Sequence, residues 1–205
     1  GPAGLSAAYR LGAGSVLLEA GSAVGGWCRS SVDAGFTFDH AGHILGSSIV
    51  TITDDANGRT VVFSGDLGRG NHPLLSPPHP PDDADAIVIE STYGDREHED
   101  VEAEIDEMAA AITRTLKRGG TVVIPAFAVD RTEVLLKALR TLQDHQRIPV
   151  APIHVDSPMA LAAMRVYVGA IQDGDPEINS ATIAEGPDAI DMPNVHEATT
   201  PEQSM

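Results

Sequence analysis

"FDHAGHILGSS" occupies residues 38–48 and runs straight into "SIVTIT" at 48–53. Its left half closes one sequence pattern and its right half opens another, so its reading decides the fold. "SIVTIT" and "TVVFSG" (60–65) read as strands, with "DDANGR" between them. Asn57-Gly58 is the pair that a tight hairpin needs, because both positions can take positive φ. His43 follows a tight glycine turn, which exposes its ring, and Asp66 stands at the end of the second strand. Histidine and aspartate at strand ends are ligand types suited to zinc-like ions.

Working outward, residues 5–11 read as part of a helix and "SVLLEA" (15–20) as a short strand. "NHPLLSPPHPPDDAD" (71–85) is a loop, since its prolines forbid a regular ladder. "AIVIE" (86–90) is an apolar run suited to a buried strand. A helix is expected over 101–117, with Val101, Ile105, Met108, Ile112 and Leu116 on one face. Acidic residues crowd its start and Lys117-Arg118 its end, and Gly119-Gly120 stop it. "TVVIPAF" (121–127) is expected as the next strand. "DRTE" (130–133) is a capping-box pattern opening a helix with Leu135, Leu139 and Leu142 inward. "APIHVD" (151–156) reads as another strand. Ser157 as N-cap and Pro158 in the first turn start a third helix. Residues 172–205 are polar and broken by proline, with weaker signals. Strands alternating with helices indicate an α/β layered fold.

The composition bounds the function. The 205 residues include 42% hydrophobic ones, enough for a real core, and allow one domain or two small ones. No run reaches membrane-spanning length, and the start shows no basic region before an apolar run, so no membrane span or signal peptide is expected. Cys28 stands alone, which excludes a disulfide framework and a cysteine zinc site and makes a cytoplasmic setting the default. The net charge is −17, and Lys117 and Lys137 are the only lysines. Such surfaces resemble those of salt-adapted (halophilic) proteins, in which salt screens the self-repulsion. A nucleic-acid enzyme normally needs a basic face, so any such face here is local or the mismatch is masked by salt.

"GPAGLSAAYRL" at the start resembles the back end of a G-x-G-x-x-G dinucleotide fingerprint, with Gly1 and Gly4 as its second and third glycines. Glu19 ends the following strand, where an acidic side chain accepts from ribose hydroxyls. With "VGGWCRS" and "GFTFDHAGH", residues 1–44 resemble the N-terminal FAD-binding segment of flavin amine oxidase and protoporphyrinogen oxidase-like proteins. The first strand and first glycine of the motif do not occur, so Gly1, Gly4 and Glu19 are vestigial FAD contacts and no FAD is expected.

"AGHILGSSIVTI", "VVFSGDLGR", "DAIVIESTYGDREH", "GGTVVIPAFAVDRTEVLLKALRTL" and "HVDSPMALAAMRVY" occur in that order. Together they resemble the metallo-β-lactamase-fold, β-CASP ribonucleases over about 41–205, strongly to 170. The resemblance implies zinc as cofactor, RNA as partner, and hydrolysis of phosphodiesters by a metal-activated water. It assigns His43 and Asp66 to metal positions, Asp66 bridging and catalytic. Glu90 in "ESTYG" becomes a catalytic acidic group that orients a ligand or water. Asp130 stands where this family usually has glycine, and as an N-cap it would be harmless or helpful.

The family's main cluster, H-x-H-x-D-H, has no counterpart, and no H-x-H occurs in the sequence. Two ligands do not close a four-coordinate zinc. A rearranged site using His40, His43 and Asp66 is an alternative, and His72, His79 and His98 lie in loops. "AGHI" (41–44) is shared by both patterns, so the chain reads as a chimera joined there. The expected organisation is a truncated Rossmann-like βα segment (1–44), part of a metallo-β-lactamase αββα sandwich (45–128) and part of a β-CASP α/β domain (129–205). Three functions follow: a metal-dependent ribonuclease impaired in this chain, a non-catalytic fragment, or an FAD-dependent oxidoreductase. Without strands ahead of the AGH motif, the 48–65 hairpin is short of partners, which predicts loose folding, a homo-oligomer or an aggregate.

Overall fold

The computed structural model describes residues 31–33, 36–81, 83–95 and 101–198. The helix expected at 5–11 and the strand at 15–20 lie outside the described residues. The chain is mixed α/β and divides into two compact units. The first is Gly1–Thr92 with Pro176–Asn179, and the second is Tyr93–Asp175 with Ser180–Met205.

The first unit is built on one five-stranded sheet of order β1-β2-β3-β4-β5. Its strands are β1 (Ser31–Asp33), β2 (Phe36–His40), β3 (Ser48–Thr53), β4 (Thr60–Phe63) and β5 (Ala86–Val88). The first three pairings are antiparallel and β4–β5 is parallel. β3 and β4 fall where their β-branched residues predict. Ile49 and Val62 are buried and join Ala41 in the core, with Leu67 and Ala84 packed against them.

The turn between β3 and β4 differs from expectation. Gly58 takes φ +69° but Asn57 does not take positive φ. The connection is a six-residue loop, 54–59. Asp54 N–H donates to the Arg59 carbonyl at 2.8 Å, and the Asp54 carboxylate accepts from Ala56 N–H at 2.9 Å. That aspartate turn replaces the two-residue geometry.

The edge of β3 that was expected to be bare is occupied. β2 pairs with it over its whole length, from Phe36 opposite Ile52 to His40 opposite Ser48. The chain on the flavoprotein-like side therefore supplies the missing neighbour, and this ground for loose folding falls away. The far edge is different. β5 forms, but it is not buried: Ile87, Val88 and Ile89 are each more than half exposed. Among the described residues it is the terminal strand, with β4 beside it.

The 71–85 loop holds Leu74 and Leu75, both fully buried. The His72 ring explains how a loop can bury them, because its Nδ1 accepts the N–H groups of Leu74 and Leu75 at 3.2 and 3.0 Å. Residues 176–179 add a short antiparallel contact. Leu75 bridges Ile178, Ser76 N–H donates to the Glu177 carbonyl at 2.7 Å, and Asn179 N–H donates to Leu74 at 2.9 Å.

The second unit contains α1 (Val101–Lys117), α2 (Arg131–Asp144), β6 (Ile153–Val155), α3 (Pro158–Asp173), α4 (Ser180–Glu185), a 3₁₀ turn at Pro187–Ala189 and β7 (Val195–Glu197). β6 and β7 pair in parallel. α1 has the predicted bounds, with Ile112 buried and Gly119 at φ +74° ending it. α3 is capped as its sequence dictates. Ser157 Oγ accepts Ala160 N–H at 3.2 Å, and Gly174 closes the helix in the left-handed region. Among the described residues no helix is long and apolar enough to cross a membrane.

Three expectations fail here. Thr121–Phe127 is not a strand, and Val123 and Phe127 are more than four-fifths exposed. No described strand pairs with it, and Pro125 removes one donor that a ladder would need. At α2, Leu136 rather than Leu135 faces inward, with Leu139 and Leu142. Asp130 does not cap this helix. It sits at φ 68°, ψ −54°, Arg131 N–H donates to the Val129 carbonyl at 2.8 Å, and the Asp130 carboxylate accepts the Tyr167 hydroxyl at 2.8 Å. This is a γ-turn at positive φ, a strained conformation for a residue with a Cβ and one that suits the glycine of the related pattern.

Glu133, in the first turn of α2, is fully buried, and its carboxylate meets no side-chain donor among the described residues, only the backbone N–H groups of Glu133 itself and Asp130. Burial pushes its carboxyl up to about 7; the Glu133 and Asp130 backbone N–H groups offset part of this, and the nearby Asp130 charge adds to it. A carboxyl that holds its proton more tightly folded than unfolded favours folding fully below about pH 4.5, and this contribution is lost as pH rises through about 7. Glu133→Gln removes that dependence. Chemical denaturation should find the variant about as stable as wild type at pH 5 and more stable by about 2–3 kcal/mol at pH 8.

Candidate functional site

β2, residues 41–47 and β3 form one hairpin, so the stretch at 38–48 is a continuous structural element. Its loop is closed from inside. Ala41 N–H donates to the Ser47 carbonyl at 3.0 Å, and Ser47 Oγ accepts from His43 and Ile44 N–H at 3.1 and 3.2 Å. Gly42 at φ +67° makes the turn, and a Cβ there would stand 2.9 Å from the Pro78 nitrogen. The His43 ring is exposed, as its place after Gly42 predicts.

A second loop, 64–68, leaves the end of β4 and docks on the first. Gly68 N–H donates to the Ala41 carbonyl at 2.8 Å. A Cβ on Gly68 would overlap the Gly42 carbonyl, so only glycine permits this backbone approach. Asp66 lies in this loop, exposed, and its carboxylate has no hydrogen bond or ion pair among the described residues.

Glu90 follows β5 and ties the second loop down. Its Oε1 accepts Leu67 N–H at 3.0 Å, its Oε2 accepts Thr92 N–H at 3.2 Å, and its own N–H donates to Ser64 Oγ at 3.0 Å. The Thr92 hydroxyl, then the Leu67 and Thr92 N–H groups, hold the Glu90 carboxyl below its ordinary range, and His43 adds a small electrostatic pull. His43, Asp66 and Glu90 are thus gathered by two touching loops and one strand end. Their side chains are not hydrogen-bonded to one another.

His40 is placed differently from the alternative in which it joins His43 as a ligand. It is buried, its Nε2 lies 3.1 Å from the Ser76 carbonyl, and its Nδ1 lies 3.1 Å from Glu177 Oε2. Nε2 is held at the Ser76 carbonyl, and Nδ1 faces the Glu177 carboxylate. Glu177 Oε2 also accepts Gly46 N–H at 2.8 Å, so one buried carboxylate clamps the base and the loop of the hairpin. Sequence reasoning missed Glu177. It lies 131 residues from Gly46, and no local pattern marks it.

Among the described residues no three His, Cys, Asp or Glu groups are placed to hold a metal ion. His43 and Asp66 are two donors of a set that needs more, so the residues present do not fit a closed zinc site. Gly1, Gly4 and Glu19 lie outside the described residues. A cleft of about 490 Å³ in the second unit is lined by Arg140, Asp144, Asp188 and Asn194 among others, and by none of the predicted site residues.

Comparison with known proteins bears on both halves of the chain. Residues 1–52 match the family described as NAD(P)-binding Rossmann-like domain, which supports the Rossmann-like reading of the N-terminal stretch. The match ends inside β3. The chain is similar to Ribonuclease TTHA0252 of Thermus thermophilus, 40% identical over 143 residues, covering 70% of this chain and 32% of that protein. It is 30% identical over 151 residues to an RNase J-like protein of Methanocaldococcus jannaschii, 71% of this chain and 34% of that one. It is 34% identical over 158 residues to the transcription termination factor FttA of Pyrococcus abyssi, 76% of this chain and 23% of that one. Most of the chain is therefore similar to β-CASP ribonucleases, and it spans about a third or less of the length of these relatives.

The Gly68 approach is testable. Gly68→Ala forces the two loops apart and should cost about 2–4 kcal/mol in thermal or urea unfolding, the scale of overpacking at a backbone contact. Gly70→Ala, which meets open space, should change stability by less than about 0.5 kcal/mol.

Proposed function

We propose that the chain from His43 onward is part of a metal-dependent RNA hydrolase of the metallo-β-lactamase/β-CASP type, and that residues 1–205 hold only part of its metal site. The observation that supports this is the gathering of His43, Asp66 and Glu90 on two loops that touch through the Gly68–Ala41 hydrogen bond. His43 and Asp66 are the inherited ligand positions, Asp66 the bridging one, and Glu90 orients that loop. Zinc suits this imidazole and carboxylate donor set. Because the donors present do not close such a site, no catalytic step is assigned to this chain by itself.

RNA is the polymer that the relatives' names point to, and it meets a chain of net charge −17 here. Salt adaptation reconciles the two, because molar salt screens the repulsion between an acidic surface and phosphates. The flavin reading rests on Gly1, Gly4 and Glu19 with half of the phosphate turn, and FAD is not expected to bind.

A graft tests the reading. Residues 41–198 replace the matching stretch of the Thermus ribonuclease, whose own flanking sequence is expected to supply the remaining donors. Zinc-dependent cleavage of a 5′-labelled RNA is expected, abolished by His43→Ala or Asp66→Ala and lowered about 10–100-fold by Glu90→Gln. The 205-residue chain alone should show no cleavage that depends on His43. A folded, zinc-loaded graft that leaves RNA intact overturns the proposal. So does a graft whose activity is indifferent to His43 and Asp66.

A further inference from the structure

Outside the candidate site, the second unit places two imidazoles side by side. His154 on β6 and His196 on β7 are register partners in the parallel pair. Val155, next to His154, is buried, while both histidines point outward and are exposed. Their ring centroids lie 5.2 Å apart with the planes inclined by 28°. Neither ring has a hydrogen bond or ion pair among the described residues. Two neighbouring histidines with no other engagement on a rigid ladder are a chelating pair in waiting.

The spacing suits a shared ion. A metal–nitrogen bond of about 2 Å puts each ring centre about 3 Å from the metal, and an angle of about 90–110° at the metal then separates the ring centres by about 4.5–5 Å, a spacing the stacked rings keep when they turn about their χ angles to aim a nitrogen at one ion. The parallel ladder holds the two Cα positions in register, so only the χ angles of the two side chains are left to order on binding. The surrounding chain carries a net charge of −17, which concentrates divalent cations near its surface.

We propose that His154 and His196 form a surface site for a divalent, imidazole-preferring transition ion, with water completing its coordination. Neutral imidazole pairs favour Cu²⁺ over Ni²⁺ and Co²⁺ in the usual order of stability, and disfavour Mg²⁺ and Ca²⁺. The ion pins β7 to β6 across 41 intervening positions of chain, so it acts as a removable staple on the second unit. It binds the folded state and not the unfolded one, and its effect on melting therefore grows with free ion concentration.

The test uses the full 205-residue chain with CuCl₂ and MgCl₂ in parallel. One equivalent of Cu²⁺ is expected at this site, with the electron paramagnetic resonance signature of two imidazole nitrogens and a saturable rise in Tm. Mg²⁺ should give neither. His154→Gln and His196→Gln each lower the copper affinity by about tenfold or more, since losing even an outer-shell partner of a metal ligand costs 10–100-fold. His154→Phe keeps a stacked ring without a ligand nitrogen and should lose the site as fully, which separates chelation from packing. His145→Gln, an exposed histidine elsewhere in the unit, should keep it. Copper uptake that is unchanged in the double variant, retained in His154→Phe, or absent from the wild type up to millimolar ion overturns the proposal. The circular dichroism of each variant without metal shows whether a loss of binding is a loss of fold.

Discussion

The placement of the candidate site depends on one backbone hydrogen bond, from Gly68 N–H to the Ala41 carbonyl. It joins the loop after β2 to the loop after β4, and no side chain can be interposed at that contact. It brings together the loops that carry His43 and Asp66. Glu90 reinforces the arrangement through Leu67 N–H, one residue beyond Asp66. A carboxylate that accepts backbone N–H groups stays ionised more readily, so the contact that positions the loop also sets the charge of the site.

Two buried glutamates show how burial and partnership separate. Glu177 is buried with His40 and the Gly46 N–H within hydrogen-bonding reach, and it organises the hairpin. Glu133 is buried with no side-chain partner and only nearby backbone N–H groups, which do not offset the burial, and its proton affinity rises accordingly. The same side chain is a clamp in one setting and a source of pH sensitivity in the other, because the cost of removing a carboxylate from water is offset only where donors replace the water.

What the sequence reveals follows the range of the interactions involved. α1 and α3 were legible because their caps and apolar spacing lie within a few residues of each other. β3 and β4 were legible from β-branched runs. The fate of Thr121–Phe127 was not, because a strand exists only with a neighbour and composition does not say whether one is present. Asp130 was misread as a cap for a related reason: its backbone sits at φ 68° and its carboxylate turns to Tyr167, 37 residues on. At the site, His43, Asp66 and Glu90 could be named from pattern, and the structure sets them on adjoining loops. The exclusion of His40 could not be foreseen, since its partners Ser76 and Glu177 are distant in sequence.

The short segment Pro176–Asn179 has a consequence for how the molecule is made. The first unit is written in two places, with Tyr93–Asp175 between them. A ribosome that has released residue 92 has not yet delivered Glu177, so His40 and the Gly46 N–H wait for their acceptor through 84 further codons. Vectorial folding therefore completes the N-terminal unit late, after most of the second unit has been synthesised, and contacts of this sequence separation are formed slowly. A nascent chain stalled before residue 177 presents a hairpin whose histidine and Gly46 N–H lack the carboxylate that buries them, a form that quality-control proteases would meet first.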